Sequence, residues 1–512
     1  MLVKTLSESL PQRAYSATQV LENEADISLS QGISMVDLME KAGRSCFSFI
    51  QENYQNVSNI LLLCGKGNNG GDGFVIARLA QERGMNVTVY LCAEREQIIG
   101  DAKTALEHLQ HTNVTIVYQS EFQLTAHFLQ DNDYELIIDA LFGIGFKGIL
   151  TLPYISLIDE VNAYQATVIS VDVPSGVDST TGHVSTTAII ADITITFIVC
   201  KQGLLTSKAA LYVGQLYLAD LTLGEHFQKE IFSSIAIQGQ LSIPESPKRD
   251  ATSHKGDIGL LLSVGGNEGM PGAIRLASES ALRSGASLVA VCCHQKNHSM
   301  VLSGRPELML APNKSLQLIK SHFYQKAKVL LCGPGLGKNS WSIALFNQVL
   351  ASQKPCVIDA DALHLLAKNP QNRDNWVLTP HPGEAAVLLN CSIRDIEKDR
   401  FKAVRNISQQ YGGICVLKGS GSLISDGERV WINTSGNSGM ASGGMGDVLS
   451  GIIAALMMQL SNTKEAVCLA VFLHGHSADI IAKRKGEIGM LASDLFPEIQ
   501  RLINQGASSV HE

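Results

Sequence analysis

Two glycine-rich stretches, one in each half of the chain, place acidic side chains beside backbone that could bind phosphate. In the second half, Gly443-Gly444-Met445-Gly446-Asp447 directly precedes an apolar helix predicted over Val448–Met458. The free N–H groups and the positive end of a helix bind anions, and an Asp there can take a proton from a hydroxyl that is being phosphorylated. Asp447 could instead be a helix N-cap. Because the glycines from Gly436 to Gly446 exceed what capping requires, the stretch predicts a phosphate site with Asp447 as its catalytic residue.

In the first half, the stretch Gly65–Gly73 (GKGNNGGDG) lies between a predicted strand and a predicted helix. It satisfies G-x-G-x-x-G only loosely, which is weak evidence by itself. Its glycines let a ligand approach the backbone closely, and successive N–H groups near a helix start suit an anion. A tight turn between strand and helix would need only one or two glycines, so the stretch favours a ligand site.

Two aspartates close apolar runs in the same half. Asp139 follows Leu136–Ile138 and Asp172 follows Ala166–Val171, each just before a glycine-bearing turn. In a doubly wound sheet the ligand crevice lies at the carboxyl ends of the strands, so both turns should face one cleft together with Gly65–Gly73. A single strand-end Asp is usually a helix N-cap, but two of them beside a glycine loop favour a functional role.

Other polar groups of the second half could complete a phosphate-transfer site. Lys418-Gly419-Ser420-Gly421-Ser422 follows a predicted strand and offers a cation with backbone donors for phosphate oxygens. Thr379–Glu384 is a rigid turn with His381 and Glu384 exposed at its bend. A His in such a turn is more often a hydrogen-bonding loop residue than a base, so His381 is assigned to substrate binding.

Three further patterns are less specific. Asp359 and Asp361 close another strand, where they could hold magnesium or simply cap a helix. His474 and His476, two residues apart on a predicted helix, diverge, which favours structural roles. Gly333–Asn339 has neither the spacing nor the Ser/Thr of a Walker A motif, so an ordinary P-loop nucleotidase is excluded.

The elements that must position these residues form two arrays of alternating strands and helices. The first begins with strands at Val57–Cys64 and Val87–Cys92 around a helix from about Phe74 to Arg83, and the second begins with a strand at Ile258–Val264. A polar, proline-bearing stretch between the arrays places the domain boundary near residue 228. This alternation predicts a mostly parallel α/β sheet in each half. The remaining predicted elements are helices at Met35–Ile50 and Pro271–Ser284 and strands at Leu288–Cys293, Val329–Cys332, Pro355–Asp359 and Ile414–Lys418.

Composition narrows the class of protein. The 512 residues are 45% hydrophobic and carry a formal net charge of −8, which argues against binding to nucleic acid or to an anionic membrane. The N-terminus lacks a secretory signal, and the apolar segment Val448–Leu460 is too short to span a bilayer. The 11 cysteines form no metal or disulfide pattern and are expected to be reduced, buried thiols. A cytoplasmic protein is therefore expected.

Four motifs of the first half resemble the epimerase domain of NAD(P)H-hydrate repair enzymes: LMEKAG at 38–43, GNNGGDG, DALFGIG and DVPSG. This family interconverts the R and S hydrates of NADH and NADPH, which carry a hydroxyl at C6 of the nicotinamide ring. The resemblance covers residues 1–227 and implies that Asp172 is the acid/base residue and that potassium binds Asn69, Asp139 and Ser175. It assigns the hydrate to Asn68, Asn69, Gly70, Gly71, Asp72, Gly143, Ile144, Gly145, Phe146, Lys147, Gly148, Ile149 and Asp172.

Residues 228–512 resemble the ADP-dependent NAD(P)H-hydrate dehydratases, a branch of the ribokinase-like superfamily. The matching motifs are HKGDIG at 254–259, VGGNEGMPGA at 264–273, CGPGLG, IDADAL, TPHPGE, KGSGS and GGMGDVLSG, although KGSGS lacks a Thr near its end. The resemblance implies a magnesium ion and ADP as phosphoryl donor. It assigns the hydrate to Ala273, Gly335, His381 and Asp447, and the nucleotide to Lys418, Gly419, Ser420, Gly421, Ser422 and Gly446.

The combined expectation is an α/β protein with an N-terminal Rossmann-like doubly wound sheet and a C-terminal ribokinase-like α/β sandwich. Its first domain would epimerise the hydrates, and its second would dehydrate the S form to NAD(P)H at the expense of ADP. Its partners would be hydrated NADH or NADPH, an adenine nucleotide and further copies of the chain, with no nucleic acid and no membrane. The alternatives are a small-molecule kinase of vitamin metabolism and a non-catalytic sensing or scaffold module in the first half.

Overall fold

The computed structural model describes residues 2–4, 13–120, 123–238 and 245–505. The chain divides into two compact units, Met1–Ile235 and Ala236–Glu512. The sequence places the boundary between the two activities after residue 227, and this boundary stays a prediction. The N-terminal segment that was judged to lack a secretory signal lies largely outside the described residues.

The first unit alternates strands with helices, as its hydrophobic runs predict. Its strands are β1 (Leu2–Lys4), β2 (Arg13–Ala14), β3 (Asn59–Cys64), β4 (Asn86–Leu91), β5 (Thr115–Tyr118), β6 (Leu136–Ala140), β7 (Thr167–Val171), β8 (Ile193–Phe197) and β9 (Gln215–Ala219), and β10 (Ile235–Gln238) lies at the junction of the units. Its helices are α1 (Ala17–Ser30), α2 (Met35–Asn53), α3 (Asn68–Glu82), α4 (Gly100–Gln110), α5 (Ala126–Asn132), α6 (Leu152–Ala163) and α7 (Gly224–Glu230), with short 3₁₀ turns at Arg95–Gln97, Gln202–Leu205 and Ser207–Leu211.

The sheet of the first unit has the order β1-β9-β8-β7-β6-β3-β4-β5. All neighbours pair in parallel except β1 with β9. The chain winds outward from β3 in both directions, so the topological switch point lies between β3 and β6. A doubly wound sheet binds its ligand at the carboxyl edge of this point. The predicted fold class of the first half is confirmed.

The second unit is built in the same way and ends in an antiparallel extension. Its strands are β11 (Leu260–Val264), β12 (Leu288–Cys292), β13 (Leu308–Leu310), β14 (Ala327–Cys332), β15 (Cys356–Ile358), β16 (Trp376–Leu378), β17 (Ile414–Leu417), β18 (Ser422–Ser425) and β19 (Val430–Asn433). Its helices are α8 (Lys255–Ile258), α9 (Pro271–Arg283), α10 (His298–Leu302), α11 (Ser315–Lys320), α12 (His322–Lys326), α13 (Ser340–Ala351), α14 (Asp361–Lys368), α15 (Pro382–Leu389), α16 (Ile393–Lys398), α17 (Arg400–Tyr411), α18 (Met445–Gln459), α19 (Thr463–Lys485) and α20 (Leu495–Gln505), with 3₁₀ turns at Gln295–Asn297, Ser438–Met440 and Ala492–Asp494.

The sheet of the second unit runs β13-β12-β11-β14-β15-β16-β17-β18-β19-β10. The strands from β13 to β17 pair in parallel, while β18 pairs antiparallel with both of its neighbours, β17 and β19. The switch point of this sheet lies between β11 and β14. Helices α9 and α18 pack closely beside it, since the Ser280 hydroxyl donates to the Val448 carbonyl across 3.0 Å.

One helix is long and apolar enough to cross a membrane by length and composition, among the residues that the structure describes. This helix is α19, and 72% of its most apolar window is buried inside the protein, as in the core helix of a globular domain. The sequence prediction had considered only the shorter apolar segment Val448–Leu460, which forms α18.

All eleven cysteines are free thiols, and ten of them are buried, with Cys391 the exposed exception. Burial raises the pKa of the Cys92 and Cys200 thiols to about 12. Neutral buried thiols behave as small apolar side chains.

Candidate active sites

The glycine stretch of the first unit is the start of helix α3 and not a loop before it. The helix begins at Asn68, whereas the sequence predicted a start near Phe74. A Cβ built at Gly70 would lie 2.0 Å from the Gly65 carbonyl oxygen, and one at Gly71 would lie 2.6 Å from the Met39 side chain. Close packing of the helix start therefore requires these glycines, and their number is not in itself evidence of a ligand.

A cavity of 510 Å³ opens at the carboxyl edge of the first sheet. Nine predicted hydrate-binding residues line it: Asn68, Asn69, Asp72, Gly143, Ile144, Gly145, Phe146, Lys147 and Asp172. Gly70 and Gly71 pack into the protein instead, and Gly148 and Ile149 are not among the lining residues. The structure thus brings together three segments that are spread along the chain between Asn68 and Asp172.

Asp172 follows β7 in a left-handed backbone conformation with φ +65°, which few residues other than glycine adopt. Its Oδ1 accepts hydrogen bonds from Lys201 Nζ at 2.7 Å and from Thr196 Oγ1 at 3.0 Å. Its Oδ2 has no hydrogen-bond partner among the described residues. One carboxylate oxygen is therefore fixed by the protein, and the other is available to a ligand.

Lys201 is a residue of this site that the sequence prediction missed. Its side chain is only 2% exposed, and its ammonium group also donates to the Phe197 carbonyl at 2.7 Å. A single Lys after the apolar run Ile195–Cys200 was the only signal in the sequence. Because a buried ammonium group needs a partner, that signal could have suggested an ion pair with a buried acid.

Two more carboxyls line the same cavity, Asp72 on α3 and Glu24 on α1. Burial, followed by the charges of Asp172 and Glu24, raises the pKa of Asp72 well above its usual range. Burial also raises the pKa of Glu24, against the attraction of Lys201. The sequence prediction did not include Glu24, because nothing near it in the chain marks it as functional.

Beneath the cavity lies the buried carboxylate of Asp139. It accepts hydrogen bonds from Ser175 Oγ at 2.6 Å, from Ser170 Oγ at 2.8 Å and from the Ser175 and Leu141 amides at 2.8 and 3.3 Å. Burial raises the pKa of Asp139 although these bonds oppose the rise. Neither Asp139 nor Asp172 caps a helix, so the N-cap alternative is wrong for both.

Within the part of the chain that the structure describes, neither the oxygen nor the nitrogen of the Asn69 side-chain amide has a hydrogen-bond partner, although both atoms are buried. It lies next to the turn after β6, since a Cβ built at Gly143 would be 3.2 Å from Asn69 Oδ1. Asp139 in turn has no ion-pair partner among the described residues. An amide oxygen without a hydrogen-bond partner and a buried carboxylate without an ion-pair partner, both judged on the described residues, fit a hard monovalent cation such as potassium.

In the second unit, Asp447 lies in the first turn of α18, three residues after the N-cap residue Gly444. The helix begins at Met445 and not at Val448 as predicted, and the Asp447 side chain makes no capping bond. The N-cap alternative is therefore wrong here too. Burial, followed by the charge of Asp359, raises the pKa of Asp447 to about 7, although Lys418 lowers it.

Two glycines beside Asp447 have open space around them, unlike the closely packed glycines of α3 in the first unit. A Cβ built at Gly443 would meet nothing within 4 Å, and one at Gly446 would meet only Lys418 Nζ, at 3.1 Å. Packing therefore does not require these two glycines. The open space next to the first turn of α18 is where a phosphate could approach its free N–H groups.

Lys418 is the cation of this site. Its Nζ lies 3.1 Å from Asp359 Oδ1 and 3.7 Å from Glu384 Oε2. Burial disfavours the charge, but the two carboxylates outweigh burial and raise the pKa of Lys418. Glu384 is only 6% exposed, so the prediction that it is exposed at the bend of its turn was wrong. The reason is that its side chain turns inward to the ammonium group.

The segment Lys418–Gly421 forms the turn between the antiparallel strands β17 and β18, and Ser422 begins β18. The Ser422 hydroxyl donates to the Gly419 carbonyl at 3.0 Å, which closes the turn. His381 caps α15, where its Nδ1 accepts from the Gly383 amide at 3.0 Å, and its side chain is 56% exposed. His381 is thus a hydrogen-bonding turn residue with an exposed side chain, and its predicted role in substrate binding stays a prediction.

Two of the predicted hydrate contacts lie side by side. A Cβ built at Gly335 would be 3.3 Å from the Ala273 Cβ. Their loops are joined because the Asn267 amide donates to the Gly335 carbonyl at 2.7 Å. Asp361 binds the same loop by accepting from the Gly337 amide at 2.8 Å. The wall around Asp447 is therefore assembled from the ends of β11, β14 and β15.

Asp359 and Asp361 are the pair of the second unit for which magnesium binding and helix capping were the two alternatives. Among the described residues, no group of three His, Cys, Asp or Glu side chains is arranged to hold an ion. Asp359 is paired with Lys418, and Asp361 bonds a backbone amide. Neither caps α14 with its side chain, so the capping alternative is wrong for this pair, and magnesium binding by it stays a prediction. His474 is buried, and burial lowers its pKa to about 4, which agrees with a structural role.

Comparison with known proteins matches a family model to each unit. The family described as YjeF-related protein N-terminus matches residues 36–203, and the family described as NAD(P)H-hydrate dehydratase matches residues 261–501. The bifunctional NAD(P)H-hydrate repair enzyme of Coxiella burnetii is 41% identical over 492 residues, which cover 96% of this chain and 99% of that protein.

Two solved structures resemble the chain over about half of its length. A ribokinase-like superfamily protein from Enterococcus faecalis covers 54% of this chain and 97% of its own, with 28% identity and a TM-score of 0.50. An ADP/ATP-dependent NAD(P)H-hydrate dehydratase from Bacillus subtilis, co-crystallised with ATP/Mg²⁺, covers 51% and 94%, with 28% identity and a TM-score of 0.47.

Proposed function

The chain belongs to the family of bifunctional NAD(P)H-hydrate repair enzymes, and we propose that each of its two activities uses one of the sites described above. It is an NAD(P)H-hydrate epimerase and an ADP/ATP-dependent NAD(P)H-hydrate dehydratase. Because the family covers both halves of the chain, a vitamin kinase and a non-catalytic first domain are no longer alternatives for its function. The residues that perform each step are the part that we propose.

In the dehydratase, Asp447 takes the proton from the 6-hydroxyl of the hydrate while that oxygen attacks the terminal phosphate of the nucleotide. The observation that carries this role is its place in the first turn of α18 with a pKa of about 7, close to the operating pH of a general base. The orphan N–H groups of the turn and the ammonium group of Lys418 face the phosphoryl charge as it is transferred. Phosphate then leaves C6, the ring nitrogen supplies the electron pair, and loss of a proton from the adjacent carbon yields NAD(P)H.

Within the nucleotide site, Lys418–Ser422 and Gly446 contact the phosphates, and Ala273, Gly335 and His381 contact the hydrate. ADP is the proposed donor. Magnesium enters this proposal only as part of the nucleotide substrate.

In the epimerase, the hydrate occupies the 510 Å³ cavity with C6 near Asp172. Electron release from the ring nitrogen expels the 6-hydroxyl as water once a proton is supplied, and water returns to the other face. Asp172 moves a proton through its Oδ2 while Lys201 and Thr196 hold Oδ1. Potassium held by Asn69, Asp139 and Ser175 would supply a fixed positive charge that orients the polar end of the substrate.

Fusion of the two activities fits their chemistry. A dehydratase that accepts only the S hydrate strands the R form, and an epimerase in the same chain returns it. We also propose a cytoplasmic location, consistent with the free, buried thiols, and self-association of the chain.

The test is a time course with a purified mixture of R and S hydrates of NADH and ADP, with potassium or with lithium. Complete conversion to NADH with one phosphate released per NADH is expected, and lithium should slow consumption of the R form only. The variant Asp447→Asn should release no phosphate and still interconvert the hydrates. If folded Asp447→Asn loses both activities, the two-site proposal is wrong.

A further inference from the structure

The epimerase cavity holds three carboxyls but only one buried ammonium group. Glu24, Asp72, Asp172 and Lys201 all line it. The only ion pair that Lys201 makes among the described residues is with Asp172, at 2.7 Å. Since one ammonium group cannot neutralise three carboxyls, burial raises the pKa of the other two, the half-buried Glu24 and the buried Asp72.

The groups that face these carboxyls come from every neighbouring element. Cys46 on α2 is a neutral thiol, because burial and then the charges of Asp72 and Asp172 raise its pKa well above the usual value. Lys66 and Lys147 lie at the exposed rim of the cavity. Asp172 is therefore the carboxyl of this cavity that has an ion-pair partner, while burial raises the pKa of the other two, Glu24 and Asp72.

The chain fixes Glu24 in this cavity through its N-terminal segment. The backbone of Tyr15 pairs with the residues on both sides of Lys201. Its amide donates to the Cys200 carbonyl, and its carbonyl accepts from the Gln202 amide, both at 2.9 Å. The next residue, Ser16, caps α1, on which Glu24 lies. Glu24 makes no hydrogen bond to the described residues, so its carboxyl is available to a ligand.

We propose that Glu24 is the second acid–base residue of the epimerase, and that Lys201 is the positioning residue that keeps the negative charge on Asp172. Two carboxyls whose surroundings favour opposite protonation states are the arrangement that acid–base catalysis requires. The inference rests on the epimerase chemistry proposed above and names the group that supplies the proton there.

In one direction, the Glu24 carboxyl gives its proton to the 6-hydroxyl as the C6–O bond breaks and water departs. The lone pair of the ring nitrogen forms a C–N double bond, which leaves a cationic ring. Water then attacks C6 from the other face, its proton passes to Asp172 Oδ2, and the C–N pair returns to nitrogen. Glu24 has lost one proton and Asp172 has gained one, so exchange with solvent resets the site. The opposite direction reverses these steps.

The first experiment measures interconversion of the R and S hydrates by the full-length chain without nucleotide. Glu24→Gln should lower kcat by about 100-fold or more and leave KM unchanged, since it keeps the shape of the side chain and removes the proton. Glu24→Asp should recover part of the rate. The matched control is Glu22→Gln, an exposed position on the same helix. If Glu24→Gln behaves like Glu22→Gln, or raises KM alone, Glu24 is not an acid–base residue.

The second experiment measures kcat and KM for interconversion of the hydrates by two variants of Lys201. Lys201→Met should lower kcat and leave KM unchanged, because Asp172 Oδ1 loses the ammonium group that holds it, and Lys201→Arg should restore part of the rate. Lys208→Met, at an exposed position, is the control. A kcat of Lys201→Met that equals that of the control overturns the role of Lys201.

The dehydratase activity of each variant on S hydrate with ADP checks that the chain is intact. If the wild type itself does not interconvert the hydrates, the proposed epimerase function fails. If the wild type is active and both Glu24→Gln and Lys201→Met match their controls, only this inference fails.

Discussion

Replacement of Asp447 by Asn should make the second unit more stable at neutral and alkaline pH while it abolishes dehydration. Burial and the neighbouring Asp359 raise the pKa of Asp447 from 3.8 to about 7 in the folded protein. The folded state therefore binds more protons than the unfolded state between these two pH values. Since the native pKa is the higher one, stability falls as pH rises through this window and levels off above about pH 7.

The expected gain in the free energy of unfolding follows from the shift in the pKa of Asp447. A rise from 3.8 to about 7 is about 3 pKa units, and each unit corresponds to about 1.4 kcal/mol, which gives an upper limit of about 4 kcal/mol at pH 8. Asn has nearly the same shape and no charge. Asp447→Asn should therefore raise the free energy of unfolding by up to this amount at pH 8, and most of the gain should be gone at pH 4.5.

The assay is urea denaturation of the full-length chain at both pH values, with fluorescence to follow unfolding. The transition of the second unit is identified as the one that moves when ADP is added to the wild type. Asp374→Asn is the control, because Asp374 is an exposed residue of the same unit and should change stability little at either pH.

The reasoning is refuted if Asp447→Asn is no more stable than the wild type at pH 8. It is refuted equally if the gain is the same at pH 4.5, because the destabilising effect of the charge must shrink as the pH falls from the folded pKa of about 7 towards the unfolded value of 3.8. A gain that grows with pH, together with loss of phosphate release, would identify Asp447 as a residue kept for catalysis at the expense of stability.

Three other predictions follow from the two sites. Asp172→Asn should stop interconversion of the hydrates and leave dehydration of pure S hydrate unchanged, as measured by chromatography and by NADH formation. Gly451→Ala should destabilise the second unit by about 1–3 kcal/mol in thermal melts, because its Cβ would lie 2.0 Å from the Ala277 carbonyl oxygen. Its counterpart Gly446→Ala should lower dehydratase activity with little loss of stability, because its Cβ would meet only the flexible Lys418 ammonium group. Lys418→Met should cost about 3 kcal/mol or more in urea unfolding, since it leaves buried carboxylates without their cation.

Much of the fold could be predicted because its signals are local. The strands β3, β11 and β14 were each predicted to within three residues at either end, since runs of buried apolar residues specify them directly. The starts of α3 and α18 were wrong. Both helices begin inside glycine-rich turns, which intrinsic propensity assigns to loops, and tertiary packing holds these residues in the helix.

The candidate sites could be predicted in part, through motifs that keep their residue types and spacing. Asp172 and Asp447 were identified because each stands at the carboxyl edge of a sheet or at the start of a helix. Glu24 and Lys201 were not, because helix α1 and the segment after β8 meet the cavity only in the folded protein.

The sequence by itself determined the α/β class of both halves, the turns that carry the chemistry and the family of repair enzymes. These follow from patterns within short windows of the chain, and such patterns need no knowledge of distant contacts. Only the tertiary structure decided which acids lie beside a cation and which are buried. Lys201 pairs with Asp172 across 29 residues and Lys418 with Asp359 across 59, and the pKa of Asp447 depends on its burial. Protonation is set by the surrounding charges and by exclusion of water, and both exist only once the chain has folded.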